Sequence, residues 1–290
     1  MGRRAEFSQW RPVRHDADLR RRMRSCLTVW NCSGERSVRS AIGTGYLASA
    51  PMPEMETPMM KVRQHFPAPG MVDFGDLDSV EPLSRAFGGD RGRPLDRYYI
   101  ESFLERHAAD IKGRVAEIGD NVYTRRFGGE RVVRSDIIDS PQSANPSATI
   151  KFDLQREEDI EAACFDCMIV TQTLHMIYDV RGALATVHRA LAPGGVVLAT
   201  IPGITPIDAH DGPEKWFWTM TQSAARRMFE ERFGRADVVA EQFGNVLAAT
   251  AFLQGLAFEE IDRADLDVID PLYPVITGIR ASKPMPTRVV

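Results

Sequence analysis

The chain has 290 residues, 43% hydrophobic and 26% charged, with a net charge of −4. That length holds one large α/β domain with an appendage or two modest domains, in an ordinary globular composition. No apolar run is long enough to span a bilayer, and no apolar segment follows Gly2-Arg3-Arg4. A secretory or twin-arginine signal is therefore not expected, and the reading is a cytoplasmic protein without a membrane partner.

Charge is unevenly placed. Residues 1–40 carry ten arginines against four acids, a balance of +6, so the rest of the chain carries −10. This basic arm lacks the interleaved aromatics and the fold of a nucleic-acid module, and a solvated arm is the preferred reading. Residues 1–73 show no sustained periodicity and are punctuated by proline, at Pro51, Pro53, Pro58, Pro67 and Pro69. They read as an irregular N-terminal extension with one short helix near Ala17–Ser25, and residues 74–290 as the folded domain. Cys164-Phe-Asp-Cys167 has C-x-x-C spacing. The second thiol falls inside a buried strand, which favours two structural thiols over a redox pair or half a zinc site. Cys26 and Cys32 lack that spacing.

In chain order, Pro94 and Asp96 open a helix with Ile100, Phe103, Leu104 and His107 on one face. Strands are predicted at 114–118, 131–136, 148–152, 165–171 and 195–201. A helix between the last two buries Val180, Leu184, Val187 and Leu191, with Asp179 as its N-cap. Pro193-Gly-Gly195 breaks the chain after it. A helix at 221–233, a strand at 238–243, a helix at 245–256 and a strand at 274–281 complete the pattern. This alternation predicts a Rossmann-like, seven-stranded, mainly parallel sheet with helices on both faces, its ligand beyond the carboxyl ends of the strands.

Chemistry is sought at those ends. Val115-Ala-Glu-Ile-Gly119 is a strand ending in acid-x-Gly. Asp136 stands about one strand later, where a carboxylate could accept from both ribose hydroxyls or merely cap a turn. Asp153 follows the third strand and is either an adenine acceptor or turn chemistry. Thr171-Gln-Thr-Leu-His175 leaves the fourth strand, and Leu191-Ala-Pro-Gly-Gly-Val-Val-Leu198 leads into the fifth.

Together these segments resemble the class I methyltransferases that use S-adenosylmethionine (SAM), over roughly residues 74–283. The L-x-P-G-G turn is the strongest local match. The glycine loop is eroded, with Asn121 and Tyr123 at its two later glycine positions. A closer similarity is to the group that includes the aminoglycoside N-methyltransferase of gentamicin biosynthesis. It rests on Asp90-Arg-Gly-x-Pro-x-Asp-Arg-Tyr-Tyr99, Glu117-Ile-Gly-Asp-x-x-Tyr-Thr-Arg-Arg-Phe-Gly128, Thr171-Gln-Thr-Leu-x-x-Ile-Tyr-Asp-Val180, Pro202-Gly-Ile204 and Gly244-Asn-Val-Leu247.

The resemblance implies methyl transfer from SAM, with S-adenosylhomocysteine as product, to an amino group of a cationic aminosugar compound. It places Arg97, Tyr98, Glu117, Gly119, Asp136, Asp153, Thr171 and Gln172 at the cofactor. His175 is the candidate proton acceptor, with a role as pocket wall held equally open. Tyr178, Asp208, His210, Asp211, Trp216 and Trp218 are candidates for the substrate wall. Arg125 and Arg126 could assist at the methionine end or only solvate the loop, and His188 reads as structural. An O-methyltransferase is the alternative, with an NAD-dependent oxidoreductase and a non-catalytic binding subunit as more distant rivals. No metal is assigned, although Asp208, His210 and Asp211 leave one open, as a homodimer is left open.

Overall fold

The computed structural model describes residues 66–156, 160–208, 210 and 212–286. The expected extension, with its helix near Ala17–Ser25, Cys26, Cys32 and the arginine-rich arm, lies largely outside the described residues, and so does Asp211. Seven strands form one sheet: β1 (Gly113–Ile118), β2 (Val132–Asp139), β3 (Ile150–Lys151), β4 (Phe165–Thr171), β5 (Leu191–Pro202), β6 (Val238–Phe243) and β7 (Ile276–Ser282). Their order is β3-β2-β1-β4-β5-β7-β6. All neighbours pair in parallel except β7, which runs antiparallel to both β5 and β6. The mainly parallel sheet is therefore as expected.

Helices cover both faces: α1 (Leu95–Arg106), α2 (Val180–Ala190), α3 (Gln222–Phe233), α4 (Val246–Gln254) and the short α5 (Arg263–Leu266). The central strands read as nearly continuous apolar runs because each face meets a core. Val196 and Leu198 pack with Leu95, Ile100, Phe103 and Phe252 on the face of α1 and α4. Val197 and Ala199 pack with Val180, Leu184, Val187 and Phe229 on the face of α2 and α3.

Caps fix where the helices begin. Asp179 Oδ1 accepts from the Gly182 N–H at 2.9 Å, Thr221 Oγ1 from Ala224 at 3.3 Å, and Asn245 Oδ1 from Ala248 at 3.0 Å. Several boundaries differ from expectation: the third strand is only Ile150–Lys151 and the seventh runs Ile276–Ser282. The second strand runs on to Asp139, and the fifth starts at Leu191, so Pro193-Gly-Gly195 lies inside an extended segment rather than a break. There Gly194 takes φ +78°, and the register slips between Phe165 and Cys167, so the glycines permit an irregular start to the strand.

Cys167 is buried on β4 and Cys164 half-buried beside it, both as free thiols. Burial pushes both thiols upward, away from the reactive thiolate form. Among the described residues no helix is long and apolar enough to cross a membrane, and no group of three or more His, Cys, Asp or Glu could hold a metal ion.

Candidate functional site

The carboxyl ends of β1 to β5 carry the site. Glu117, one residue from the end of β1, is 1% exposed. Its Oε2 accepts from the Thr124 N–H and the Thr124 hydroxyl, both at 2.7 Å, and its Oε1 accepts from the Tyr123 N–H at 3.2 Å. Burial pushes this carboxyl up to about 7, against the opposing pull of the Thr124 donors. Glu117 thus pins the loop that leaves the strand, a task that does not need the two missing glycines. Gly119 holds φ +86°, and a Cβ built there would meet nothing within 4 Å, so the backbone edge at the strand tip stays open. Asn121 donates to Ser135 Oγ at 3.1 Å, and Thr124–Gly128 winds into a π-type turn.

Asp136 does not stand at the mouth of this loop. It pairs in register with Ala116 in mid-strand and is 1% exposed. Its oxygens accept from Arg114 Nε at 2.8 Å, Arg134 at 3.0 Å and Thr149 Oγ1 at 3.2 Å. Burial alone would raise this carboxyl, but the two arginines overcome that and hold it below its usual range. Arg114, Arg134 and Thr149 thus engage this carboxylate within the sheet. The strand-end acid is Asp139, which sequence reasoning missed by ending the strand three residues early. Its Oδ2 accepts from Asn145, whose amide also donates to the Gly119 carbonyl at 2.7 Å. Asp139 therefore sits beside the open glycine. The consecutive apolar pair Ile137-Ile138, as in a strand buried on both faces, was the signal that could have found it. Asp153 follows β3, whose Lys151 pairs with Asp139, and its Oδ1 accepts from the Gln155 N–H at 2.9 Å in a local turn.

A cavity of about 180 Å³ opens at the ends of β4 and β5. Asp96 and Arg97 enter it from the first turn of α1, Gln172 and His175 from the segment after β4, and Asp208 and Trp216 from the segment after β5. Gln172 adopts φ +45°, a left-handed conformation costly for a side chain of its kind. Its N–H is tied to the Thr200 carbonyl at 3.0 Å, and its side-chain amide donates to Asp96 Oδ2 at 3.4 Å. His175 is 2% exposed, with its ring centroid 4.1 Å from that of Trp216. The His175 carbonyl accepts from the N–H groups of Phe217 at 2.9 Å and Trp218 at 3.2 Å, which fastens the post-β5 segment over it. Arg97 is flanked by Asp96, Tyr123 and Asp120, whose combined pull raises its pKa against desolvation.

Other candidates lie elsewhere. Tyr98 turns away from the cavity, donating its hydroxyl to Asp267 Oδ1 at 2.5 Å and packing on Phe258. Its α1 neighbours Asp96 and Arg97 take the cavity side. Tyr178 is exposed and stacks on Trp218 at 6.0 Å. Trp218 donates its indole N–H to the Ile177 carbonyl at 3.0 Å, so both stand outside the lining. His210 is exposed, and its backbone N–H donates to Asp208 Oδ1 at 2.7 Å. Thr171 ends β4, its carbonyl engaged by Thr173 Oγ1 at 2.9 Å. Arg126 pairs with Glu101 at 2.8 Å. Asp96, buried at the second position of α1, is the cavity residue the sequence reading passed over.

Residues 119–199 match the family model described as a methyltransferase domain. No curated protein matches the chain significantly. The fold is similar to a SAM-dependent methyltransferase from Archaeoglobus fulgidus, at 13% identity and a TM-score of 0.43, covering 64% of this chain and 94% of the other. It is also similar to the N-methyltransferase NodS from Bradyrhizobium japonicum with bound S-adenosylhomocysteine, at 16% identity and a TM-score of 0.42, covering 70% and 96%. The [4+2]-cyclase SpnF is similar to a comparable degree, at 16% identity and a TM-score of 0.44, covering 67% and 85%. Likeness at this level fixes no chemistry, which rests instead on the domain match and the site. The methyltransferase-domain match runs from the tip of β1 into β5, within a sheet of order β3-β2-β1-β4-β5-β7-β6 whose seventh strand is antiparallel.

Proposed function

We propose that the protein transfers a methyl group from SAM to an amino group of a sugar-containing natural product, with the aminoglycosides as the substrate class. The observation that carries this reading is the cavity at the ends of β4 and β5, which gathers Asp96, Gln172, Asp208, His175 and Trp216 around one space. Carboxylate and amide oxygens suit ammonium and hydroxyl groups, and an indole face suits a sugar ring. The acceptor class itself comes from the sequence resemblance.

The cofactor would be held at the neighbouring strand ends. Gly119 leaves room for its approach, Glu117 fixes the loop around it, Asp139 replaces Asp136 as acceptor for the ribose hydroxyls, and Asp153 is placed for the adenine amino group. Arg97 suits the methionine carboxylate. When bound, SAM supplies the electrophilic methyl group. The chain's own residues align the acceptor, exclude water and accept a proton from the ammonium, since a protonated amine has no lone pair to attack with. His175, buried at the cavity wall, is the proposed proton acceptor.

The test offers the protein SAM with kanamycin and, separately, with fully N-acetylated kanamycin, and locates added methyl groups by mass spectrometry. Methylation of the amine alone is expected. Methylation of the acetylated form at a hydroxyl would move the reading to the O-methyltransferase class. His175→Gln is expected to lower turnover at least tenfold with SAM affinity within twofold. Full turnover in that variant would leave His175 as a wall.

A further inference from the structure

Three side-chain atoms that line the cavity are fully buried yet lack a hydrogen-bond partner: Asp96 Oδ1, Gln172 Oε1 and Trp216 Nε1. Buried polar groups are nearly always satisfied, so three such atoms on one cavity are free to bond a molecule that enters it. The set is specific, with two acceptors joined through the Gln172–Asp96 contact at 3.4 Å and one donor on the ring packed over His175. We infer that Asp96, Gln172 and Trp216 form the recognition site for an amino alcohol, the ammonium on the two oxygens and a neighbouring hydroxyl or ether oxygen on the indole N–H. This rests on the methyltransferase reading above and names the group that its acceptor must carry.

Several observations point to the acceptor rather than to the cofactor's own ammonium. The cavity is walled by Phe87 and Phe252, by Met176 and by Thr205 and Asp208 of the post-β5 segment, and it contains none of Glu117, Gly119, Asp139 or Asp153. Asp96 is 8% exposed. Burial raises its carboxyl above the ordinary range, with Arg97 and the Gln172 amide pulling the other way. Arg97, assigned above to the methionine carboxylate, stands where the cavity meets the loop after β1, 3.9 Å from Asp96 Oδ1 and beside Tyr123 and Asp120. Asp208 on the far side offsets its charge, so the lining keeps a net negative charge when Asp96 is ionised.

The test uses the full chain saturated with S-adenosylhomocysteine and titrates neamine, an amino-alcohol pseudodisaccharide, by calorimetry. Wild-type protein is expected to bind neamine and to bind its fully N-acetylated form at least a hundredfold more weakly. Asp96→Asn should weaken neamine at least tenfold with S-adenosylhomocysteine affinity within twofold. Trp216→Phe, which keeps an aromatic ring and removes the donor, should weaken neamine about fivefold. Because Asp96 is buried, each variant is first checked for cooperative melting. Should Asp96→Asn fail to fold, Gln172→Leu, with an expected fivefold loss, takes its place. Wild-type protein that binds S-adenosylhomocysteine but not neamine overturns the inference and leaves the methyltransferase reading standing. Unchanged neamine affinity in the variants also overturns it. Loss of S-adenosylhomocysteine affinity in Asp96→Asn would give the carboxylate to the cofactor's ammonium instead. Wild-type protein that binds no S-adenosylhomocysteine at all would sink the methyltransferase reading itself.

Discussion

Asp136 and Asp139 lie three residues apart on β2 and serve different ends. Asp136 is consumed by Arg114, Arg134 and Thr149, so it holds the sheet together. Asp136→Asn is expected to cost about 3 kcal/mol of stability, the scale of a broken buried charge pair, and to leave SAM affinity within threefold. Asp139→Ala should instead weaken SAM by about 1–3 kcal/mol, the loss of charged hydrogen bonds, with a smaller effect on melting. Calorimetry and thermal unfolding of both variants decide the assignment, and the reverse pattern would restore Asp136. The sequence showed an acid of the right type but not which way its strand neighbours' arginines point. Glu117 invites a pH measurement. Its folded-state carboxyl is raised from 4.5 to about 7, so the folded state binds the proton more tightly than the unfolded chain. The resulting stabilisation is full below about 4.5 and is lost as pH rises through about 7. The stability difference between wild type and Glu117→Gln should therefore shrink, or turn against the wild type, across that window. A difference that grew with pH would show that the donors of Thr124 outweigh burial.

At the scale of elements, helices and strands were legible wherever an apolar period met a cap. β4 and β6 fall on their expected bounds, and Thr221 and Asn245 cap α3 and α4 as Asp179 caps α2. What could not be read was packing between elements, because close approach leaves no local mark beyond a missing side chain. Gly278 in the middle of β7 is such a mark: a Cβ there would lie 2.6 Å from the Phe103 ring. Since Phe103 is fully buried on α1, the ring has little room to yield, and the absent Cβ lets α1 lie close on the sheet. That same helix carries Asp96 and Arg97 into the cavity from its first turn. Gly278→Ala is accordingly expected to cost about 2 kcal/mol, as overpacked cores do, and to lower acceptor affinity several-fold by displacing α1. Melting and neamine titration check this. A variant that loses stability with full acceptor affinity would mean that the first turn of α1 is held by Gln172 rather than by its packing on β7.

At the scale of the whole molecule, the basic arm of residues 1–40 and the proline-broken stretch after it both precede the first periodic element. The fold class was legible because parallel strands buried on both faces, alternating with capped helices, admit few arrangements. The cavity was only half legible: Gln172, His175, Asp208 and Trp216 stood out in the sequence, whereas Asp96 did not, since burial at a helix start leaves no compositional trace. All seven strands of the sheet and every residue assigned to the cavity or the cofactor lie between Phe87 and Ser282. The first sixty residues contribute a basic arm and proline-broken segments without the apolar spacing of a core element. Deleting residues 1–60 is therefore expected to leave a protein that melts cooperatively and binds S-adenosylhomocysteine within threefold of the full chain. The deletion removes the basic segment while the remainder is strongly acidic, so attraction of a polycationic acceptor should rise slightly at low salt and vanish at high salt. Thermal unfolding, cofactor titration and the salt dependence of neamine binding test the three parts separately. Aggregation or a lost transition would place part of the core within the first sixty residues. Loss of acceptor binding with cofactor binding intact would instead make the arm a wall of the acceptor site.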